Sequence, residues 1–195
     1  MRHAFPIFLI MALGACAPSP ENQISAKPQD IFFAGLTTHC GGAFEGRLVS
    51  NDAVDADFGT QPMVMQIRTC TEEEIRIPFH VGDDHSRTWV ITKEQNGLRL
   101  KHDHRHEDGS EDVLTQYGGD AAGEGTESRQ DFPVDEFSIA LFEREGLTAS
   151  VQNTWAVEIS EQVFAYELSR PNRFFRVEFD LAVPVETPPA PWGHE

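Results

Sequence analysis

The stretch WVITKEQNGLRLKHDHRH, Trp89 to His106, decides the fold of this chain. Two runs of alternating character flank Asn96-Gly97, a pair that favours the tight turn of a β-hairpin. In the second run Leu98 and Leu100 lie two residues apart, so they share one face of a strand. The stretch therefore predicts an antiparallel hairpin with one apolar face.

Similar short runs rich in Val, Ile, Phe, Trp and Thr recur along the chain, and turn signals such as Arg170-Pro171-Asn172-Arg173 separate them. No stretch shows a convincing 3.6-residue period, which would indicate a helix. The predicted strands are Met63–Cys70, Glu74–His80, Thr88–Lys93, Leu98–His106, Phe137–Phe142, Thr148–Glu158, Phe164–Leu168 and Phe174–Leu181. About eight to ten such strands predict an all-β fold, with an antiparallel barrel as first choice and a sandwich as second.

The amino terminus carries a targeting signal. Arg2 and His3 precede an apolar run from Ala4 to Ala15, which ends in Leu13-Gly14-Ala15-Cys16. A signal peptide that stops at a cysteine behind small residues resembles the lipobox of bacterial lipoproteins. The resemblance implies cleavage before Cys16, a diacylglycerol on its sulfur and a further acyl chain on the new amino group. It also implies a lipid anchor in the cell envelope, where Ala17 indicates the outer membrane, facing the periplasm.

Two other interpretations of the amino terminus stay open. The same residues can end an ordinary secretory signal, or form a transmembrane helix, although the run is shorter than the roughly 20 residues that span a bilayer. The expected organisation is a signal peptide at 1–15, a lipidated cysteine and flexible tether at 16–30, a β-barrel domain at 31–183 and a proline-rich tail at 184–195. Within the domain, the glycine-rich segment Gly118–Gly125 is predicted to be a mobile connection.

Charge and cysteine content limit the partners and the compartment. The formal net charge of −17 would repel phosphate backbones, so we exclude nucleic acid as a partner. After lipidation of Cys16, Cys40 and Cys70 remain as an even pair in an oxidising compartment, which predicts a disulfide between them. A functional dithiol is the alternative, but no C-x-x-C motif supports it.

The segment HDHRHEDG, His102 to Gly109, is the one local anomaly. His102, His104 and His106 continue the face of Leu98 and Leu100, toward the barrel interior or its mouth, where barrels keep ligands. Two histidines in His-x-His can bind Zn²⁺, but three in a straight row cannot easily reach one ion. The candidates for a further ligand are His39, His80, His85 and Asp112. The other interpretation is that these histidines hydrogen-bond to buried polar partners.

Other catalytic and metal motifs are weak or missing. The sequence contains neither Gly-x-Ser-x-Gly nor His-Glu-x-x-His. The set Asp52, Asp55, Asp57 and Gly59 offers oxygens for Ca²⁺, but its spacing is not that of an EF-hand, and a solvated acidic turn explains it better. We therefore expect no cofactor, apart from the zinc alternative.

A lipid-anchored barrel of this length resembles the lipocalin-like group in architecture, although lipocalins carry Gly-x-Trp in the first strand where this chain has Gly42-Ala43-Phe44. The stretch His102 to Asp120 also resembles segments of uncharacterised secreted bacterial proteins, and this resemblance implies no activity. The expected function is a non-enzymatic envelope lipoprotein whose barrel binds a small or lipid-like ligand or acts as an interaction module. The alternatives are a zinc-dependent periplasmic enzyme, a hydrolase using the histidine row, and a structural envelope protein without a ligand.

Overall fold

The protein forms an antiparallel β-barrel, as seen in a computed structural model that describes Met1 and residues 26–194. Apart from Met1, the predicted signal peptide lies outside the described residues, as does Cys16. The strands are β1 (Ala43–Leu48), β2 (Met63–Gln66), β3 (Thr69–Cys70), β4 (Glu74–Val81), β5 (Asp84–Glu94), β6 (Gly97–His104), β7 (Tyr117–Asp120), β8 (Arg129–Pro133), β9 (Thr154–Ile159), β10 (Val163–Arg170) and β11 (Arg173–Pro184). The helices are α1 (Pro28–Thr37) and α2 (Glu136–Arg144), with 3-10 turns at Ala53–Asp55, Phe58–Thr60 and Thr148–Gln152. The predicted all-β barrel is confirmed.

The strands follow the order β7-β6-β5-β4-β2-β1-β11-β10-β9-β8, and the short β3 pairs with β4 beside this path. β7 and β8 are therefore the two edges of the sheet. Two backbone hydrogen bonds join these edges: the Ala122 amide donates to the Asp131 carbonyl at 2.8 Å, and the Asp135 amide donates to the Gly118 carbonyl at 3.0 Å. These bonds satisfy edge groups that would otherwise be exposed for pairing with another chain.

Gly119 makes this close approach of the two edges feasible, and Gly118 lets β7 lie close to its other neighbour, β6. A Cβ atom at Gly119 would lie 1.8 Å from the Pro133 carbonyl oxygen, and one at Gly118 would lie 1.9 Å from the Leu100 carbonyl oxygen. The prediction of a mobile connection was therefore wrong for the first part of Gly118–Gly125, which belongs to β7. Here glycine serves close backbone contact rather than mobility.

The predicted hairpins are present. β5 and β6 pair with Glu94 opposite Gly97, so the turn residues are Gln95 and Asn96, one position earlier than predicted. β10 and β11 pair with Arg170 opposite Arg173, as the turn signal indicated. The register of β6 buries Leu98 and Leu100, because a shift by one residue would turn both toward solvent.

The helices were missed by the sequence prediction. Phe137–Phe142, predicted as a strand, belongs to α2, where the Asp135 side chain accepts a hydrogen bond from the Ser138 amide at 2.8 Å and caps the helix. Its buried residues follow helical spacing and are Ser138, Leu141 and Phe142. The first part of Thr148–Glu158 forms a 3-10 turn, and only Thr154–Ile159 is a strand.

α1 closes one end of the barrel. It buries Phe32, Phe33 and Leu36, and it begins at Pro28, so the last residues of the predicted flexible tether are helical. The Cys40–Cys70 disulfide, with 6.2 Å between the Cα atoms, ties the segment after α1 to β3. This bridge confirms the predicted pairing and holds the helix against the strands. None of the described helices is both long enough and apolar enough to cross a membrane.

The described part of the tail lies on the outside of β5 and β6. The Trp192 amide donates to the His85 carbonyl at 3.1 Å, and Nε2 of His194 lies 2.8 Å from Oδ2 of Asp103. Asp103 is only 2% exposed and also accepts hydrogen bonds from Arg76 and Arg105. The tail thus covers a buried carboxylate on the outer face of β6.

Candidate ligand site at the mouth of the barrel

The barrel end away from α1 holds a pocket of about 170 Å³. The connection between β1 and β2 lies over it and contributes Asp55 and Phe58. The remaining lining comes from the ends of strands β4, β5, β6, β7, β10 and β11, which meet at this mouth. The lining residues are Asp55, Phe58, Phe79, Arg87, Trp89, His102, Tyr117, Tyr166, Leu168, Arg173 and Phe175.

Stacked aromatic rings form the wall of the pocket. The Trp89 ring lies between those of Phe79 and Tyr166, with centroid distances of 4.8 Å and 4.4 Å and interplanar angles of 16° and 19°. At the mouth, the Phe58 ring meets that of Phe175 edge-on, with centroids 5.8 Å apart. Because the Trp89 ring is stacked between two others, the wall offers mainly ring edges to a planar apolar molecule.

His102 lies at the base of the pocket with both ring nitrogens hydrogen-bonded. Nδ1 lies 3.0 Å from the Tyr117 carbonyl oxygen, and Nε2 lies 2.7 Å from the Tyr166 hydroxyl. Because a carbonyl oxygen can only accept, Nδ1 carries the proton and Nε2 accepts from Tyr166. Burial, reinforced by the nearby His104, lowers the pKa of His102 to about 3, so the ring is neutral at physiological pH.

The three histidines of the predicted row do not stay together. His104 lies beside His102 with ring centroids 6.4 Å apart, and its Nε2 is 3.3 Å from the Tyr117 hydroxyl. His106 follows the end of β6, and its side chain is 58% exposed near Asp112. A zinc ion on His102 would have to displace one of the hydrogen bonds described above. Within the described residues, no group of three or more His, Cys, Asp or Glu side chains could hold a metal ion.

The other predicted ligand candidates lie elsewhere. His39 packs against Phe44 beyond the end of α1, and His80 pairs with His85 near the β4–β5 turn. Asp112 lies beside His106, with 3.7 Å between its Oδ2 and Nε2 of the histidine. The structure thus brings none of these four side chains to the His102 ring.

The acidic turn at Asp52–Asp57, for which Ca²⁺ was the less favoured interpretation, serves a different purpose. Asp55 is 6% exposed and accepts two hydrogen bonds from Arg173, at 2.5 Å and 2.6 Å. Asp52 accepts from the same guanidinium at 3.3 Å, whereas Asp57 is exposed. The prediction of a solvated turn is therefore wrong for Asp55, because β11 supplies a cation that neutralises the buried carboxylate. This ion pair binds the β1–β2 connection to β11 and so holds the connection over the pocket.

Arg87 is the second guanidinium at the pocket. Its Nη1 donates to Asp84 at 2.7 Å, and its Cζ lies 5.4 Å from the centroid of the Phe58 ring. A guanidinium has five N–H donors, and within the described residues Arg87 uses only Nη1 in a hydrogen bond. It therefore retains donors for an anion or carbonyl group in the pocket.

The titratable groups of the pocket favour binding over acid–base chemistry. Burial raises the pKa of both Tyr117 and Tyr166, so their hydroxyls stay protonated. A histidine whose pKa is about 3 is a weak base at neutral pH. The pocket thus presents aromatic faces, neutral hydroxyls and a guanidinium.

Comparison with protein-family models, curated proteins and solved structures finds no match to this chain. His102 lies in the pocket, on the face that the sequence predicted to point toward the barrel interior or its mouth, whereas the sequence did not predict Arg87 and Arg173 there. Arg87 lies two residues before Trp89, so strand alternation puts both side chains on the same face, and this pattern could have predicted Arg87 at the pocket. No local pattern in the sequence connects Arg173 with Asp55.

Proposed function

We propose that this protein is a binding barrel for a small planar molecule that carries an aromatic ring and an acceptor group such as a carboxylate. The observation that carries this proposal is the stack of Phe79, Trp89 and Tyr166 along one side of a pocket that also contains Arg87. The ring of the ligand packs against these aromatic side chains. Its acceptor group takes hydrogen bonds from the guanidinium.

The volume of the pocket supports a ligand of one ring. An apolar cavity of roughly 150 Å³ in a protein core accepts benzene, whereas pockets for drug-sized ligands measure roughly 300 to 1,000 Å³. The pocket here, of about 170 Å³, is close to the first figure. Of the small and lipid-like ligands expected from the sequence, this volume favours the small one.

The charge at the pocket supports an acceptor group on the ligand. The carboxylates of Asp52, Asp55 and Asp84 near the mouth already accept hydrogen bonds from arginines. Hydrogen bonds to charged groups contribute about 1.5 to 3 kcal/mol, which corresponds to roughly a tenfold to hundredfold change in affinity. We expect benzoate to bind more tightly than neutral benzamide by a factor in this range.

Calorimetric titration with benzoate, benzamide and dodecanoate tests the proposal. Leu168→Trp fills the pocket and is expected to weaken benzoate binding at least tenfold. Val113→Trp adds the same side chain at a position that is 60% exposed and does not line the pocket, so it should leave binding unchanged. Tighter binding of dodecanoate than of either single-ring probe, or benzoate binding that survives Leu168→Trp, would contradict the assignment.

We also propose that the barrel is anchored to the cell envelope, at the outer membrane, through lipid on Cys16. The support is the sequence Leu13-Gly14-Ala15-Cys16 behind an apolar run, together with a disulfide of the kind found in oxidising compartments. Fractionation of bacteria that express the Cys16→Ser variant tests this, because only the lipid is expected to retain the acidic barrel. Retention of the variant in the membrane fraction would rule out the anchor.

A further inference from the structure

A second histidine pair lies on the outer face of the barrel, away from the pocket. His80 is on β4 and His85 is on β5, on either side of the turn that joins these strands. Their ring centroids are 4.4 Å apart, and the ring planes make an angle of 65°. The two imidazoles are therefore in direct contact across the hairpin.

A β-bulge explains why these two side chains meet. Phe79 pairs with Arg87 and Val81 pairs with Asp84, so the single residue His80 faces both His85 and Ser86. Since side chains alternate along a strand and Phe79 points into the core, His80 points to the outside. A bulge changes the direction in which nearby side chains point, and bulges are frequent beside functional sites.

His80 is an unusual residue for this position. It is only 4% exposed, and neither of its ring nitrogens has a hydrogen-bond partner within the described part of the chain. Most buried polar side chains in proteins are hydrogen-bonded, so a buried imidazole without a partner calls for a ligand. His85 is half-buried, and Trp192 of the tail lies next to it, with 6.3 Å between the ring centroids.

We propose that His80 and His85 form a binding site for a divalent transition-metal ion such as Zn²⁺. Each imidazole contributes one nitrogen, and solvent completes the coordination. Neutral imidazole is a preferred ligand of Zn²⁺, with nitrogen about 2.0 to 2.1 Å from the metal. Because the nitrogens of His80 are buried, binding requires the half-buried His85 ring to move and admit the ion.

The contact between the two rings and the unpartnered nitrogens of His80 are the observations that support this site. This site lies outside the aromatic pocket, so it does not depend on the proposed function.

Zinc titration of the full chain, produced without a histidine tag, tests the site by calorimetry at pH 7. We expect one equivalent of Zn²⁺ to bind, and both His80→Phe and His85→Ala to weaken it at least tenfold. Phenylalanine fills the buried position without needing a hydrogen bond, and the half-exposed His85 gives a second variant that does not depend on replacing a buried side chain.

Two matched variants locate the metal. His106→Ala removes an exposed histidine, and His104→Ala removes one beside the pocket, so both should leave the affinity unchanged. Loss of binding in His104→Ala instead would assign the zinc to the histidines of β6 and overturn the proposal. Equal affinity of the wild type and His85→Ala, or no zinc bound by the wild type, would overturn it as well.

Discussion

The Tyr166 hydroxyl lies 2.7 Å from Nε2 of His102, and this hydrogen bond crosses the interior of the barrel. His102 is on β6 and Tyr166 is on β10, strands that are not neighbours in the sheet. Both side chains are almost fully buried, at 2% and 7% exposure. The bond therefore ties two sides of the barrel at the base of the pocket.

Tyr166→Phe should destabilise the barrel because it leaves the buried Nε2 of His102 without a donor. An unsatisfied buried acceptor costs about 1 to 3 kcal/mol, and urea denaturation measures this loss. Tyr117→Phe is the matched control, since its hydroxyl makes only a 3.3 Å contact with His104 and should cost less. A larger loss for Tyr117→Phe would contradict the role assigned to Tyr166.

Gly119→Ala should push apart β7 and β8, the two sheet edges that meet where the barrel closes. The new Cβ would meet the Pro133 carbonyl oxygen at 1.8 Å, and because this is a backbone atom the strands themselves must move. We expect a loss of at least about 3 kcal/mol in the free energy of unfolding. Gly123→Ala is the control: it has open space around the new Cβ and only the strain of its φ of +79°, which costs about 1 to 2 kcal/mol. Equal losses of unfolding free energy in the two variants would show that close packing between β7 and β8 is unimportant.

Removal of the disulfide by Cys40→Ser together with Cys70→Ser should lower the free energy of unfolding by about 3 to 4 kcal/mol on the chain-entropy model. The bridge closes a loop with a sequence separation of 30 residues and holds α1 over the barrel end. Chemical denaturation of the double variant, compared with the oxidised wild type, measures the effect. A thiol assay that finds two reactive cysteines in the denatured, unreduced wild type would contradict the bridge itself.

Stability should fall as the pH decreases below about 6.5. Burial lowers the pKa of His102 to about 3, whereas an unfolded histidine titrates near 6.5, so between these values the unfolded chain binds the extra proton. The free energy of unfolding then decreases by up to about 1.4 kcal/mol per pH unit for this group. Denaturation curves between pH 7 and pH 5 measure the slope.

His102→Gln removes this titration while keeping groups that can hydrogen-bond. The dependence of the free energy of unfolding on pH should therefore become less steep, by the amount that corresponds to about one proton. Glu158 does not interfere in this range. Burial opposes ionisation of Glu158, but Arg176 and Arg129 outweigh it and hold its pKa below the usual value of 4.5, so its contribution is lost only at lower pH. An unchanged slope in His102→Gln would refute the neutral, buried state of His102.

Local patterns in the sequence predicted much of the sheet. Alternation in Trp89–His106 and the turn at Arg170–Arg173 identified two hairpins, because side-chain period and turn chemistry are properties of neighbouring residues. α2 was missed because its short apolar run, Phe137–Phe142, suits either a strand or a helix. The Asp135 cap and the packing of Phe142 near Tyr117 decide in favour of the helix.

By itself, the sequence determined the β-rich alternation, the hairpin turns, the even pair Cys40 and Cys70, and the inward face that carries His102. Only the tertiary structure decided the closure of β7 on β8, the ion pair of Arg173 with Asp55 and the contact of His80 with His85. The edges β7 and β8, like Arg173 and Asp55, come from parts of the chain that are far apart in sequence. The contact of His80 with His85 depends on a bulge that changes the register by one residue. Local preferences are encoded within a few neighbouring residues, whereas register, bulges and long-range pairs are selected by the packing of the whole barrel.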